Sequence, residues 1–242
     1  MAIITKQLRK EYKNTVAVNG LDLEIYDNEI FALLGVNGAG KTTTVKMLSC
    51  LARPTSGDAE VAGHSVTREP EKVKAVIDIS MQETAVARNL TVKENLEFYA
   101  SVRGFGKAAA RERIDELTNA FGFDKVMNKK AKTLSGGWQR KLSLALALLP
   151  HPKVLFLDEP TLGLDVIARH ELWDMIEKLR GTMTVVLTTH YMEEAEKLSD
   201  RIGIMKDGVM LTVGTAESIK EQTGCDNFED AFIKVVSKGG ME

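Results

Sequence analysis

The sequence predicts an α/β fold, in which a parallel sheet carries an antiparallel β edge and a helical insert. Short, continuous apolar runs at residues 31–34, 154–157 and 185–187 have the length of strands that are covered on both faces. Segments with helical spacing of apolar residues lie between these runs, and this alternation is typical of parallel strands joined by helices. A stretch of about 87–149 shows little strand pattern and predicts the helical insert.

The first part of the chain predicts a strand, a glycine-rich loop and a helix in succession. Residues 21–25 alternate between apolar and polar, which is the pattern of a strand with one exposed face. The apolar run at 31–34 ends at Gly35, and residues 40–51 have helical composition with apolar side chains three residues apart. A strand that leads through glycines into a helix is a common architecture for binding phosphate, since the helix N-terminus attracts anions.

The middle of the chain predicts helices. Thr91 and Glu94 have the spacing of a capping box, in which each side chain bonds the backbone N–H of the other residue. Apolar residues within 114–121 share one helical face, and residues 142–149 continue as a further helix as far as Pro150.

The last third of the chain predicts a helix, a hairpin and a terminal helix. Apolar residues within 172–179 share one helical face between the two late strands. The Asp-Gly pair at 207–208, between two apolar segments, predicts the hairpin of the antiparallel edge. Apolar residues within 228–235 have the spacing of a short amphipathic helix docked on the core. We expect one domain over 1–242, with its core over about 1–86 and 150–214, its helical insert over about 87–149 and a C-terminal extension over about 215–242.

Composition and charge disfavour several classes of protein. The chain has 242 residues, is 44% hydrophobic and 27% charged and has a formal net charge of −2, which disfavours disorder and provides no basic surface for nucleic acid. Its two cysteines are too few for a disulfide framework and indicate a reducing compartment. No signal peptide is visible, and the longest nearly uncharged apolar run is far shorter than the ~20 residues of a membrane span. We therefore expect a cytoplasmic chain, whose membrane part would come from another polypeptide.

Residues 35–42 form the strongest motif, because Gly-x-x-x-x-Gly-Lys-Thr is the pattern of a phosphate-binding loop. Its glycines let the backbone curl so that N–H groups point at phosphate oxygens. Lys41 supplies a mobile cation for the β- and γ-phosphates, and the Thr42 hydroxyl is placed to bind Mg²⁺. The position between a strand and a helix disfavours the alternative, an accidental glycine-rich turn.

Two further patterns indicate nucleotide chemistry. The apolar run at 154–157 ends in Asp158 and Glu159; the first would reach the Mg²⁺ shell and the second would polarise an attacking water. Ser135, followed by two glycines, opens a predicted helix and so offers a second anion site. Each pattern alone is often only a turn. Each indicates a nucleotide site here because the same chain also has a phosphate-binding loop.

Together the motifs resemble those of the ATP-binding subunit of ABC (ATP-binding cassette) transporters, over about residues 12–214. Their order matches the family's: a phosphate loop at 35–43, a glutamine loop around Gln82, a Leu-Ser-Gly-Gly signature at 134–137, an acidic strand end at 158–159, a D-loop at 163–165 and a switch histidine, His190. The resemblance implies the P-loop NTPase core of the ABC ATPase type, ATP and Mg²⁺ as cofactors, and hydrolysis of ATP to ADP and phosphate.

The resemblance also implies a role for each motif residue. Nucleotide binding would fall to Tyr12, Gly35, Val36, Asn37, Gly38, Ala39, Gly40, Lys41, Thr42 and Thr43, with Tyr12 stacked on adenine unless it is only a buried strand aromatic. Catalysis would fall to Lys41, Gln82, Glu159 and His190, and Mg²⁺ would be bound by Thr42, Gln82 and, through water, Asp158. In a head-to-tail dimer, Ser135, Gly136 and Gly137 would complete the site of the other copy in trans, with Asp165 at the dimer interface.

The resemblance implies partners as well: a membrane-spanning transporter subunit and a second copy of the chain or a paralogue, with no nucleic acid. The chain would then lie in the cytoplasm, on the inner face of the cell membrane. Trp138 stands where the commonest signature has glutamine; with residues 161–165 and 193–195 it resembles a bacterial subgroup that exports drugs, antibiotics, lipids or sodium. Trp138 puts in doubt only the contacts that glutamine would make, and the alternative role for a bulky aromatic at this position is packing against helices.

Two other functions remain alternatives. One is an ABC ATPase that acts on nucleic acid or ribosomes without transport, which the net charge of −2 disfavours. The other is a regulatory nucleotide-binding module without turnover, which the presence of both Glu159 and His190 disfavours.

Overall fold

The computed structural model describes residues 1–238, which form a mixed α/β fold with two sheets. The strands are β1 (Ile3–Tyr12), β2 (Thr15–Ile25), β3 (Ile30–Leu34), β4 (Ser56–Val61), β5 (His64–Ser65), β6 (Ile77–Ser80), β7 (Val154–Asp158), β8 (Thr184–Thr189), β9 (Arg201–Lys206) and β10 (Val209–Gly214). The helices are α1 (Lys41–Leu48), α2 (Pro70–Val76), α3 (Val92–Val102), α4 (Lys107–Phe121), α5 (Gly136–Leu148), α6 (Val166–Glu177), α7 (Met192–Leu198), α8 (Ala216–Thr223) and α9 (Phe228–Lys238). The last residues of the expected C-terminal extension, 239–242, lie outside the described residues.

The larger sheet has the strand order β10-β9-β3-β8-β7-β6, in which β10 is antiparallel to β9 and all other neighbours are parallel. Every residue of β3, β7 and β8 is buried, because both faces of these strands are covered. The three apolar runs are thus confirmed as buried strands. The predicted edge hairpin is also confirmed, with φ of 48° at Asp207 and 79° at Gly208, the left-handed pair that suits a tight two-residue turn.

The smaller sheet, ordered β2-β1-β4-β5, is antiparallel throughout. Its apolar side chains pack with α1 and with Phe31, Leu33 and Phe156 of the larger sheet to form one core. Side chains on the opposite face of the larger sheet, including Ile30 and Ala32, pack with helices α3 to α9 to form a second core. Of this smaller sheet, the sequence predicts only the end of β2, residues 21–25.

Helices α3, α4 and α5 follow one another between β6 and β7. The predicted capping box begins α3: the Thr91 hydroxyl accepts from the Glu94 N–H at 3.1 Å, and the Glu94 carboxylate accepts from the Thr91 N–H at 2.7 Å. The Asp78 carboxylate on β6 accepts from the Tyr99 hydroxyl at 3.1 Å and from Arg103, which ties α3 to the larger sheet. Burial raises the pKa of Asp78 although both donors lower it.

Two helix ends differ from the prediction. α1 ends at Leu48 rather than near Leu51, because Cys50 takes a left-handed φ of 58° that a helix does not continue. α6 ends at Glu177, and Leu179 packs against the second core from beyond the helix. α9 confirms the predicted terminal helix, since its aromatic side chains belong to the second core.

No helix in the described part of the chain is both long enough and apolar enough to cross a bilayer.

Candidate active site

The phosphate loop lies between β3 and α1, where the surrounding backbone requires glycine. Gly40, directly before α1, has φ of 104°, and a Cβ there would lie 2.5 Å from the Ala17 carbonyl oxygen. A Cβ at Gly35 would overlap the Met205 carbonyl oxygen on β9. The loop is therefore held tightly at both ends, and α1 begins inside it, where the N–H groups of the first turn favour an anion.

Lys41 is the first residue of α1, and its side chain is folded back over the loop. Its ammonium donates to the Gly35 carbonyl at 2.7 Å and to the Val36 carbonyl at 3.3 Å. The same Nζ lies 3.5 Å from Oε1 of Glu159. With 5% of its surface exposed, Lys41 is a nearly buried cation directed at the loop.

Asp158, the last residue of β7, joins the phosphate-loop helix to the sheet. Its Oδ1 accepts from the Thr42 hydroxyl at 3.0 Å and from the Thr188 hydroxyl at 2.6 Å. A hydroxyl and a carboxylate are oxygen ligands of the kind that Mg²⁺ prefers. Within residues 1–238 there is no cluster of three or more His, Cys, Asp or Glu residues that could hold a metal. The donor set fits a Mg²⁺ ion that takes its other ligands from phosphate and water.

Glu159 connects the phosphate loop to His190. Its Oε2 lies 2.8 Å from Nδ1 of His190, which follows β8, while its Oε1 faces Lys41. The Glu159 backbone is left-handed, with φ of 49°, and its N–H donates to the Thr188 hydroxyl at 3.0 Å. Glu159 is only 6% exposed. Its carboxylate is therefore enclosed between Nζ of Lys41 and Nδ1 of His190.

These side chains surround a pocket of about 730 Å³. Its lining consists of Thr15, Val16, Ala17, Asn37, Gly38, Ala39, Gly40, Lys41, Thr42, Thr43, Gln82, Glu159, Leu162, His190 and Asp207. The structure thus brings together most of the expected phosphate loop with Gln82, Glu159 and His190. The pocket is also lined by residues 15–17 at the start of β2, by Leu162 and by Asp207. The sequence does not predict these residues as part of the site.

Tyr12 is the last residue of β1 and is not part of this lining. It pairs in register with Thr15, which does line the pocket, and its side chain is 45% exposed. The alternative of a buried strand aromatic is therefore wrong. An exposed ring at the rim remains consistent with the predicted contact to adenine.

The signature residues lie outside the pocket of their own chain. Ser135 caps α5, its hydroxyl accepting from the Trp138 N–H at 3.4 Å. A Cβ at Gly137 would lie 2.9 Å from Cβ of Ala168 on α6, so the two helix N-termini pack closely. Asp165 caps α6 by accepting from the Ala168 N–H at 2.9 Å. Ser135 and Asp165 are both exposed, so a second molecule can reach them.

Trp138 packs within its own chain. Its ring lies 6.1 Å from the Phe123 ring, and Nζ of Lys141 lies 4.6 Å above it. Its side chain borders the second core. The packing interpretation of Trp138 is therefore confirmed.

A buried carboxyl links the segment after Glu159 to the helix after His190. Glu194 on α7 accepts from the Thr161 hydroxyl at 2.7 Å and from Nε1 of Trp173 at 2.9 Å. Its other oxygen, Oε2, has no hydrogen-bond partner among residues 1–238. Burial raises the pKa of Glu194, and its hydroxyl and indole donors lower it by less.

A glycine loop, a nearly buried lysine, an acidic strand end and a histidine around one pocket define a P-loop nucleotide-binding domain. Residues 18–162 match the family model described as ABC transporter. The chain belongs to the ABC transporter family, and its predicted fold class, ATP binding and ATPase activity are confirmed. ATP-binding subunits of this family act as dimers with membrane-spanning partners, which agrees with the partners expected from the sequence.

Curated relatives include the daunorubicin/doxorubicin resistance ATP-binding protein DrrA of Streptomyces peucetius, 43% identical over 92% of this chain and 68% of the relative. The phospholipid-transporting ATPase ABCA3 of Homo sapiens is 39% identical over 91% of this chain but only 13% of its own length. Among solved structures, an ATP-binding subunit of an ABC transporter has a TM-score of 0.86 at 25% identity and covers 97% of this chain and 99% of its own. A dimeric ATP-binding cassette bound to ADP and phosphate has a TM-score of 0.79 at 26% identity, over 88% of this chain and 98% of its own.

Proposed function

We propose that the chain is the ATPase subunit of an exporter. It would close head to tail on a second copy or a paralogue and drive a drug-like or lipid-like solute out through a separate membrane-spanning subunit. Its place would be the cytoplasmic, inner face of the cell membrane. One observation carries the proposal: the buried carboxylate of Glu159 contacts both Lys41 of the phosphate loop and His190 in one pocket. The resistance proteins among the relatives support export.

The triphosphate of ATP would lie along residues 35–43, with adenine stacked on Tyr12. The Lys41 ammonium already bonds the Gly35 carbonyl at 2.7 Å, so it is within reach of a phosphate held by the loop. A charged phosphate oxygen attracts the ammonium more strongly than a neutral carbonyl does. Thr43 would bond the α-phosphate.

Mg²⁺ would be bound by the Thr42 hydroxyl and the Gln82 side-chain oxygen and, through water, by Asp158. When bound, the ion would neutralise charge on the β- and γ-phosphates. Thr188 holds the Asp158 carboxylate next to Thr42 by donating to the same oxygen at 2.6 Å. Gln82 is exposed and lines the pocket, so its amide is free to turn towards the ion.

Hydrolysis would depend on Glu159 as the base that accepts a proton from the attacking water. His190 fixes this carboxylate through the 2.8 Å contact at Nδ1, and Gln82 would help to orient the water. Lys41 would balance the charge that develops on the γ-phosphate. Such a site works by positioning and charge stabilisation, which dominate catalysis of phosphoryl transfer.

The site would be completed by a second copy of the chain. Ser135, Gly136 and Gly137 would bring the N-terminus of α5 to the γ-phosphate bound by the other copy, with Asp165 at the interface. These three residues do not line the pocket of their own chain, so they would contact a nucleotide only in the pocket of another copy. Their position therefore supports this role. In a two-fold dimer the same contact occurs twice.

Isothermal titration with Mg-ATP tests the nucleotide site. Lys41→Ala should lose affinity and turnover together, because the cation acts in both the ground state and the transition state. The matched control is Lys46→Ala, since Lys46 lies on the same helix but does not line the pocket. Lys46→Ala should keep both properties. Unchanged affinity in Lys41→Ala would contradict the proposed contact.

Reconstitution tests the transport function. We expect the adjacent reading frame to encode a protein with several apolar spans and the chain to co-purify with that protein. Daunorubicin or a lipid should then stimulate ATPase activity of the complex in vesicles. ATPase activity that responds to RNA or ribosomes, with no membrane-bound partner, would favour the non-transport alternative instead.

A further inference from the structure

Arg140 is a buried cation whose hydrogen bonds all go to backbone carbonyls. It lies on α5 and is 5% exposed. At distances of 2.5 to 3.0 Å its guanidinium donates to the carbonyls of Met81, Gln82, Asp158, Glu159 and Pro160. Nε makes one of these bonds, and Nη1 and Nη2 make two each. Since a guanidinium has five N–H donors, every donor is used.

We propose that Arg140 is a positioning residue for ATP hydrolysis: it fixes the loop that carries Gln82 and the loop that carries Glu159 relative to each other. Nη1 bonds the first loop, and Nε and Nη2 bond the second. The inference rests on the catalytic roles proposed for Gln82 and Glu159.

The Glu159 backbone requires this support. A left-handed φ of 49° is strained for a residue other than glycine. The strained residue is held on both sides. Its N–H donates to the hydroxyl and the carbonyl of Thr188, at 3.0 and 3.2 Å, and its carbonyl accepts from Arg140 at 2.5 Å and from the Leu162 N–H at 3.2 Å. Without Arg140 the shorter bond to the Glu159 carbonyl is lost, and we expect the carboxylate to shift from its place between Lys41 and His190.

Arg140 also connects these loops to the signature helix. It lies within the second turn of α5, whose N-terminal cap is Ser135. A change in the position of α5 when two copies close is therefore transmitted to Glu159 and Gln82 of the same chain. Helix α5, which would complete the partner's site, is therefore bonded through Arg140 to the loops that carry Gln82 and Glu159 in its own chain.

Arg140→Lys tests the inference, because lysine keeps the charge but has three donors in place of a planar set of five. We expect kcat to fall about 10²-fold, the typical effect of a misplaced catalytic group. KM for ATP should change much less than kcat, because the phosphate loop does not contact Arg140. A merely structural role would lower the yield of folded protein and leave kcat of the folded fraction at the wild-type value.

The matched control is Arg113 on α4. It is also buried, at 9% exposure, and donates to the backbone carbonyls of Leu148 and Leu149, away from the pocket. Arg113→Lys should lose stability without loss of kcat. An equal loss of kcat in Arg113→Lys would overturn the inference, since any buried arginine would then have the same effect.

Chemical rescue gives a second measurement. Arg140→Ala leaves a space lined by the five carbonyls that Arg140 bonded. Added guanidinium ion should restore kcat at least about tenfold, whereas methylammonium, with its point charge, should not. If Arg140→Ala does not fold, Arg140→Lys decides the question alone. A folded Arg140→Lys with wild-type kcat, or no rescue of a folded Arg140→Ala, would overturn the inference. Glu159→Gln is measured in parallel: if it is inactive while Arg140→Lys is active, only this inference fails, and if it is active, the proposed function fails.

Discussion

Replacing Glu159 by glutamine should separate ATP binding from ATP hydrolysis. The carboxylate has Oε1 3.5 Å from Nζ of Lys41 and Oε2 2.8 Å from Nδ1 of His190. Glutamine has the same shape, but an amide does not accept a proton from water near neutral pH. We therefore expect Glu159→Gln to bind ATP in a loop of nearly unchanged geometry and to stall before hydrolysis.

The size of the effect has a kinetic and a structural part. Loss of a general base costs about 10²–10⁴ in rate, or about 3–5 kcal/mol of activation free energy. The unfolding free energy should fall by less, about 1–3 kcal/mol. The reason is that Lys41 loses its anionic neighbour but keeps hydrogen bonds to the Gly35 and Val36 carbonyls at 2.7 and 3.3 Å.

Three measurements on the purified variant check this prediction. Phosphate release gives the rate, titration with Mg-ATP gives the affinity, and a sizing column with ATP present detects a dimer that cannot hydrolyse its nucleotide. We expect slow release, retained affinity and an accumulated dimer. Wild-type phosphate release from folded Glu159→Gln would refute the assignment of Glu159 as the base.

Two further substitutions test the packing around the site. Gly40→Ala should lower stability by about 1–3 kcal/mol and abolish ATP binding, because its Cβ would lie 2.5 Å from the Ala17 carbonyl. Gly104→Ala, with φ of 78° and no atom within 4 Å of its Cβ, is the control for backbone strain alone, and equal ATP binding in the two variants would contradict the clash. Glu194→Gln should become more stable relative to wild type as the pH rises above about 4.5. Burial raises the pKa of Glu194 above 4.5, so the folded state binds more protons than the unfolded state and wild-type stability falls as pH rises; parallel denaturation curves would exclude this.

The sequence reveals β3, β7 and β8 because burial on both faces leaves a continuous apolar run. It does not reveal β1, although that strand lies between β2 and β4 in the smaller sheet. The register of β1 with β2 shifts between Thr5 and Leu8, between Leu8 and Lys10 and between Lys10 and Glu11. Each shift breaks the period of two on which recognition of a half-exposed strand depends.

The predicted site residues differ from the missed ones in which part of the residue makes the contact. The roles proposed for Lys41, Glu159 and His190 use their side chains, so this chemistry can be inferred from residue type and order. Arg140 bonds only backbone carbonyls, and Ala17 meets Gly40 through its own carbonyl oxygen. Because every residue has a carbonyl group, such contacts leave no pattern in the sequence and require the fold to be known.

Mixing two inactive variants tests most directly whether each ATP is held by two chains. Lys41→Ala damages one half of the proposed site and Ser135→Arg damages the other, so each homodimer has two damaged sites. In a mixed dimer one site carries both defects and the other carries none. With random pairing about half of the dimers are mixed, so roughly a quarter of all sites are intact.

The measurement is ATPase activity after mixing differently tagged chains, with heterodimer formation verified through both tags. Each variant alone should be inactive, and activity should reappear on mixing, up to about a quarter of the wild-type value. Verified heterodimers that remain inactive, together with a crosslink from Ser135 to the nucleotide bound by its own chain, would contradict the two-chain site.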